Sequence, residues 1–330
     1  MIYLHGLGHF YPENVITNRF LSDLDIGSSE EWIEERVGIL ERRTVLPLDY
    51  IRATKNRDVR AAQEASLYTN AQTAALAARM ALERAGLAAG EIGMVISGSS
   101  AADVASPAEA STVAAALGID VPAFDMNSAC TSFGLQVHFL SNLGAGALPP
   151  FVLITQPENL TRCLDYSDRR SACLFGDGST AAVVSPAVPS DKVLDATHFG
   201  AKPSCWDKVS IRRTGHFGQD GNAVQGFAIR KTTDALRIIQ AANPSLNGRL
   251  KFVGHQANLG MLKTVCERCG IPPENHWHNV EWFGNTATAG APGSLSLHWD
   301  ELAPGDHVAL VQVGAGLSWA HMMLTVQERS

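Results

Sequence analysis

Short, nearly continuous apolar runs recur along the chain: IGMVISGSS (92–100), PAFDM (122–126), FVLIT (151–155) and AAVVSP (181–186), then LKFVGH (250–255), HVALVQVG (307–314) and HMMLTV (321–326). A half-exposed strand would alternate apolar and polar residues, so unbroken runs predict strands buried on both faces. The opening MIYLHGLGHFYPENVITN reads as a first strand and a turn. Between the strands lie helix-like stretches, among them AQTAALAARMALERAGL (71–87), closed by Gly86, and TTDALRIIQAAN (232–243). Strands alternating with helices predict an α/β protein whose sheets are covered by helices. The Pro-flanked polar segment SPAVPSDKV (185–193) is the expected join, dividing the chain into halves 1–187 and 188–330. No repeat of solenoid length interrupts this pattern.

Composition narrows the function classes. At 330 residues, with 45% hydrophobic and 18% charged residues, the chain can bury a large core. No apolar run approaches the roughly 20 residues of a membrane span, and the start lacks the order of a secretory signal. Six cysteines, at positions 130, 163, 173, 205, 266 and 269, are too scattered for a disulfide framework. They suit a reducing compartment, so a cytoplasmic protein is expected. The formal charge of −7 argues against nucleic acid as partner but leaves room for a local basic mouth facing an anionic ligand.

Three junctions carry candidate chemistry. In FDMNSACTSFG (124–134) a strand-like run turns into a helix with apolar residues at Phe133, Val137 and Leu140. Cys130 is expected in its first turn, where unpaired N–H groups and the helix dipole would lower the thiol pKa and hold an oxyanion. In LKFVGHQANLGMLKTVCERCG a strand ends at Gly254, His255 marks the junction, and Asn258 either caps the next helix or serves the site. In EWFGNTATAGAPGSLSL, Gly284 and Asn285 open a run of small residues. Each residue alone has a structural reading as core thiol, satisfied imidazole or turn former. Together, Cys, His and Asn at three such edges form a set suited to thiol-mediated acyl transfer.

The words SSEEWIEERVGILERR (28–43), SACTSF (128–133), LDYSDRR (164–170), FGDG (175–178), HQAN (255–258) and GNTATA (284–289) stand in an order that resembles the β-ketoacyl-acyl-carrier-protein synthase III family of the thiolase superfamily. The resemblance runs from the first strand to GAGLSWAH (314–321). It implies a duplicated, five-layered α-β-α-β-α thiolase-like fold and a homodimer. It also implies that Cys130 accepts an acyl group from acyl-CoA, with the backbone N–H groups of Cys130 and Ala315 as oxyanion hole. His255 and Asn285 would then stabilise the enolate left when a malonyl thioester, on a carrier protein or on CoA, loses carbon dioxide. By the same correspondence Trp32, Arg36 and Arg169 would meet the CoA nucleotide. No metal or other cofactor is implied.

Some positions depart from the family pattern. Gly260 stands where an arginine contributes to carrier-protein docking, and Phe227 near an asparagine that bonds the pantetheine. Ala105 and Ser106 occupy the place of a bulky phenylalanine that a neighbouring subunit contributes to the acyl-pocket floor, so a donor larger than acetyl is expected. The segment 44–70 is longer than usual, and its cations either border the tunnel or are solvated. Alternatives are a non-decarboxylating acyltransferase to another nucleophile, and a catalytically silent acyl-binding partner subunit. A zinc cluster of Cys266, Cys269, His276 and His278 is a further reading, weakened by the helical packing face of both cysteines.

Overall fold

Nine strands build the central sheet of the computed structural model, which describes residues 1–328. They are β1 (Ile2–Phe10), β2 (Met94–Ser97), β3 (Ala123–Asp125), β4 (Val152–Glu158), β5 (Gly178–Ser185), β6 (Lys192–Ala201), β7 (Lys251–Gly254), β8 (His307–Gly314) and β9 (Ser318–Val326). Their order is β7-β8-β9-β6-β1-β5-β4-β2-β3. The seam lies between β1 and β6, which share only the pairs Ile2 with Leu194 and Tyr3 with Val193.

The same order recurs on either side of that seam. In the first half β1 pairs antiparallel with β5, β5 antiparallel with β4, and β4 parallel with β2, which is parallel to β3. In the second half β6 pairs antiparallel with β9, β9 antiparallel with β8, and β8 parallel with β7. The outermost strand of the second half is reduced to one parallel bridge between Phe252 and His276. The fold is therefore duplicated.

Helices complete five layers. On the outer face of the first half of the sheet lie α2 (Asn70–Ala85) and α3 (Glu109–Leu117), and α5 (Gly221–Ala242) and α6 (Leu259–Cys269) cover the second half. Between the two halves run α4 (Ser132–Ser141) and α7 (Gly290–Leu297), each touching strands of both. Small residues permit this central layer. A Cβ on Gly134 of α4 would collide with Ala320 of β9, and residues 290–296 of α7 are all buried. The expected helix at 71–87 runs from Asn70 to Ala85, with a capping box between Thr69 and Gln72 and a left-handed Gly86 at its end. Peripheral α1 (Glu30–Val37) is capped by Ser29.

Two expectations need correction. The helix read at 232–243 begins eleven residues earlier, at Gly221, capped by Asp220. Its first turns lack apolar periodicity because Asn222, Gln225 and Phe227 face a cavity instead of the core. Conversely, the run 92–100 forms a strand only over Met94–Ser97, after which the chain leaves the sheet toward the site. Among the described residues no helix is long and apolar enough to cross a membrane.

Candidate active site

After β3 the chain turns sharply through 126–131 before α4 begins. Ala129 adopts φ 46°, a left-handed conformation costing a non-glycine residue about 1–2 kcal/mol. Side chains hold the turn: Asn127 Oδ1 accepts from Ala129 N–H at 2.9 Å and from Ser132 Oγ at 3.0 Å, and Ser128 N–H donates to Ser132 Oγ at 2.9 Å. Cys130 stands on this elbow, just before the cap residue Thr131, rather than within the first turn of the helix.

The helix also does not offer the free donors expected of it. The N–H groups of Thr131 and Ser132 bond Ser128 O and Ala129 O. Those of Phe133 and Gly134 bond Thr288 Oγ1 at 3.0 Å and Gln312 Oε1 at 2.8 Å, both from the second half. The donors facing the sulfur are the N–H groups of Cys130 itself and of Ala315, with the Ser100 hydroxyl alongside. Ala315 comes this close because β8 ends in Gly314, where a Cβ would sit 3.0 Å from Cys130 Cβ and 3.2 Å from its nitrogen.

Nor is the thiol pKa lowered. Burial pushes Cys130 up to about 12 and the Glu158 carboxyl adds to the rise, outweighing the surrounding polar groups. The residue is half-buried, and it lines the cavity while protein packs around it. Glu158, fully buried at the end of β4, accepts from Ser100 N–H at 3.0 Å and from Ser100 Oγ at 3.0 Å. Its own burial lifts it to about 8, so it is mostly protonated at neutral pH. Ser100 thus bridges the thiol and a neutral carboxyl.

His255 follows β7 directly and is 5% exposed. Burial holds its imidazole down to about 4, so the ring is neutral at physiological pH, and Nδ1 is buried without a hydrogen-bond partner. Asn285 follows a short helix (Val280–Phe283), not the strand expected from the sequence. Gly284, at φ 66° and ψ −165°, adopts a conformation essentially reserved for glycine. Asn285 is fixed by its backbone, N–H to Leu174 O at 2.9 Å and O from Gly176 N–H at 3.2 Å. Its Oδ1 accepts from Ala287 N–H at 2.9 Å, which leaves the Nδ2 donor for the cavity. Behind this segment the fully buried Arg42 donates to Cys173 O and to Asn18 Oδ1.

One cavity of about 320 Å³ brings Cys130, His255 and Asn285 together with Ala315, Phe227, Asn258 and Arg36. Asn258 also caps α6: Oδ1 accepts from Met261 N–H at 3.0 Å while Nδ2 donates to Arg36 O at 3.3 Å. Phe227 packs edge-on against Trp319, ring centroids 6.0 Å apart. Trp32 lies one turn before Arg36 on α1, with the Arg169 guanidinium 5.1 Å from its ring centroid and Arg169 Nη1 donating to Gly27 O at 2.8 Å. Ser106 is different. Within the single chain it is exposed and lines no part of this cavity, because its loop points outward. Gln219, Asn222 and Gln225 also line the cavity, and no sequence signal had singled them out.

The cysteine-histidine group does not gather around a metal. Cys269 Sγ faces Thr233 O at 3.9 Å, His276 stacks on Phe252, and His278 Nδ1 pairs with Glu281 at 2.8 Å. Among the described residues no three His, Cys, Asp or Glu side chains are placed to hold a metal ion.

Known proteins resemble this chain over nearly its whole length. The profile of 3-Oxoacyl-[acyl-carrier-protein (ACP)] synthase III matches residues 124–203, and that of its C-terminal part matches residues 242–326. A β-ketoacyl-[acyl-carrier-protein] synthase III of Syntrophomonas wolfei is 33% identical over 97% of this chain and 96% of its own length. The chain belongs to the β-ketoacyl-acyl-carrier-protein synthase III family. As a member it is an acyltransferase with the thiolase fold. The synthase III of Aquifex aeolicus superposes with a TM-score of 0.87 at 27% identity, covering 98% of this chain and 100% of that one. The priming β-ketosynthase of the R1128 polyketide biosynthetic pathway superposes at 0.83 with 27% identity, covering 100% and 97%. The family thus includes condensing enzymes of both fatty-acid and polyketide synthesis.

Proposed function

We propose that this family member is a decarboxylative condensing enzyme that loads an acyl group from acyl-CoA onto Cys130 and extends it with a malonyl thioester. The supporting observation is the shared cavity, in which a thiol, a neutral imidazole and a carboxamide donor meet beside two backbone N–H groups. In the first step the sulfur attacks the thioester carbonyl as the thiol proton passes to the departing CoA sulfur. The N–H groups of Cys130 and Ala315 receive the tetrahedral oxyanion. A stable thiolate is not required, because the proton leaves as the bond forms.

In the second step the malonyl carboxylate departs as carbon dioxide, leaving an enolate. The Nε2–H of neutral His255 and the Nδ2–H of Asn285 would donate to its oxygen. The low imidazole pKa suits this role: a neutral ring stabilises the enolate without readily protonating its carbon. The carbanion attacks the acyl carbonyl, and collapse of the oxyanion releases a β-ketoacyl thioester and the Cys130 thiolate, which takes up a proton from solvent to restore the thiol.

Beyond Cys130 a second chamber of about 130 Å³, walled by Leu160, Phe217 and Ala287, offers room for an acyl chain longer than acetyl. Arg36 lines the cavity, and Trp32, one turn away on α1 with Arg169 stacked on its ring, would meet the CoA nucleotide as it enters. Arg230, Arg237 and Arg268 border a groove on the α5 and α6 face, a cationic surface for a carrier protein's phosphate-bearing arm. A cytoplasmic homodimer would pair along β3, an edge strand with Phe124 exposed.

Intact-protein mass spectrometry with a panel of acyl-CoA donors tests the reading. A mass gain on Cys130, discharged by malonyl-CoA or malonyl-carrier protein with release of carbon dioxide, is expected. No adduct from any donor, or discharge to another nucleophile with the carboxylate retained, would overturn it.

A further inference from the structure

Next to the inner chamber beside Cys130 lies a third cavity, with exposed arginines on its border. The inner chamber shares Ser100 and Ile211 with an outer chamber of about 420 Å³. The chemistry changes along the way. Near the sulfur the walls are Leu160, Phe175 and Phe217, whereas the outer chamber is bordered by Arg60, Arg162, Arg212 and Arg213 with Asp103 and Asp125.

Most of these charges already have partners. Arg162 pairs with Asp103 at 2.6 Å and donates to Asn70 Oδ1 at 3.0 Å. Asp125 accepts from Glu109 N–H at 2.8 Å and Ala110 N–H at 2.9 Å. Among the described residues no ion pair or side-chain hydrogen bond engages the guanidinium of Arg60, Arg212 or Arg213. Two of the three ride on the tip of the hairpin formed by Val209–Ile211 and Phe217–Gln219. Its position is fixed by His216 Nε2 on Asn56 O at 2.7 Å and by Gly215 N–H on Arg212 O at 3.0 Å. The third comes from the long segment 44–70.

We propose that these arginines receive a carboxylate at the far end of the acyl group, making the preferred donor the CoA mono-thioester of a dicarboxylic acid. This inference rests on Cys130 being the acylated nucleophile. An acyl chain reaching from Cys130 to the outer chamber would cross the apolar walls of the inner one at Ser100 and Ile211, which would select an aliphatic middle. A chain ending in a methyl group would place that methyl among unpaired guanidinium groups. A carboxylate there gains charge-assisted hydrogen bonds instead, in a geometry that a guanidinium can make bidentate.

The test compares second-order rates of Cys130 acylation, read by intact mass, for matched donor pairs: hexanoyl- against adipoyl-CoA, octanoyl- against suberoyl-CoA, decanoyl- against sebacoyl-CoA. At the favoured length the carboxylated donor should react faster by on the order of tenfold, and the ratio should shrink as salt screens the exposed cations. The doubly substituted Arg212→Ala, Arg213→Ala protein should bring the ratio to about one, and the paired Arg→Lys changes should retain part of it. A ratio at or below one at every length in the unaltered protein, or a preference undiminished in the double alanine variant, overturns the proposal while leaving Cys130 as the nucleophile. An absence of any adduct from all six donors overturns both readings.

Discussion

A resting enzyme with a thiol near 12 and an imidazole near 4 holds Cys130 and His255 as a neutral pair, not as thiolate and imidazolium. Titrating the reactivity of Cys130 exposes the difference. Its pKa lies about 3.5 pH units above the ~8.5 of an ordinary cysteine, so at pH 7 its thiolate fraction is lower by roughly 3,000-fold. Intrinsic nucleophilicity rises with pKa, with a Brønsted slope of about 0.4–0.5, which recovers roughly 25- to 60-fold. Cys130 should therefore react with a small neutral disulfide-exchange reagent about two orders of magnitude more slowly than a free thiol. The assay follows the modified Cys130 peptide by mass, with Cys130→Ala as background, and the unaltered enzyme should quicken about tenfold per pH unit while Glu158 stays protonated. Glu158→Gln sharpens the test. Below about pH 8 the native carboxyl is neutral, so variant and parent should behave alike. Above it the native carboxylate repels the forming thiolate, so the variant should react faster. A plateau between about pH 5 and 8, the mark of a thiolate held by an imidazolium, would refute the neutral pair.

Other expectations concern single side chains. Asn285→Ala removes the carboxamide but keeps the backbone bonds to Leu174 and Gly176. It should slow carbon dioxide release by on the order of 10²–10³ while acyl-adduct formation changes little, and an equal loss in both would show that Asn285 does not serve the enolate. Arg42→Met strips the buried Cys173 carbonyl and Asn18 of their cationic donor. Urea titration should show a loss of about 2–4 kcal/mol, and an unchanged midpoint would contradict the supporting role given to Arg42.

The strands were readable because both faces of each sheet are covered, and such strands announce themselves as unbroken apolar runs. The three central polar residues were readable because each follows a recognisable break in the chain. The ionisation of Cys130 was not. It is set by burial beneath distant parts of the chain and by Glu158, which β4 delivers across the sheet, neither of which leaves a mark around position 130. The helix-dipole argument failed for a related reason, since Thr288 and Gln312 occupy the first-turn donors from far along the chain. Gln219, Asn222 and Gln225 were missed because a polar residue facing a cavity looks, in sequence, like one facing solvent. The early helix start at Gly221 was hidden by the same ambiguity.

The anchoring of α4 by Thr288 and Gln312 bears on how this enzyme can be dissected. The N-terminal half carries the sulfur, but the side chains that set the pose of its helix belong to the C-terminal half, and Thr131 Oγ1 meets Ser318 Oγ at 2.8 Å in the same seam. Neither half is a self-sufficient catalyst awaiting its neighbour. Cleaving the connector at 186–191 would yield two pieces whose activity returns only when they are recombined.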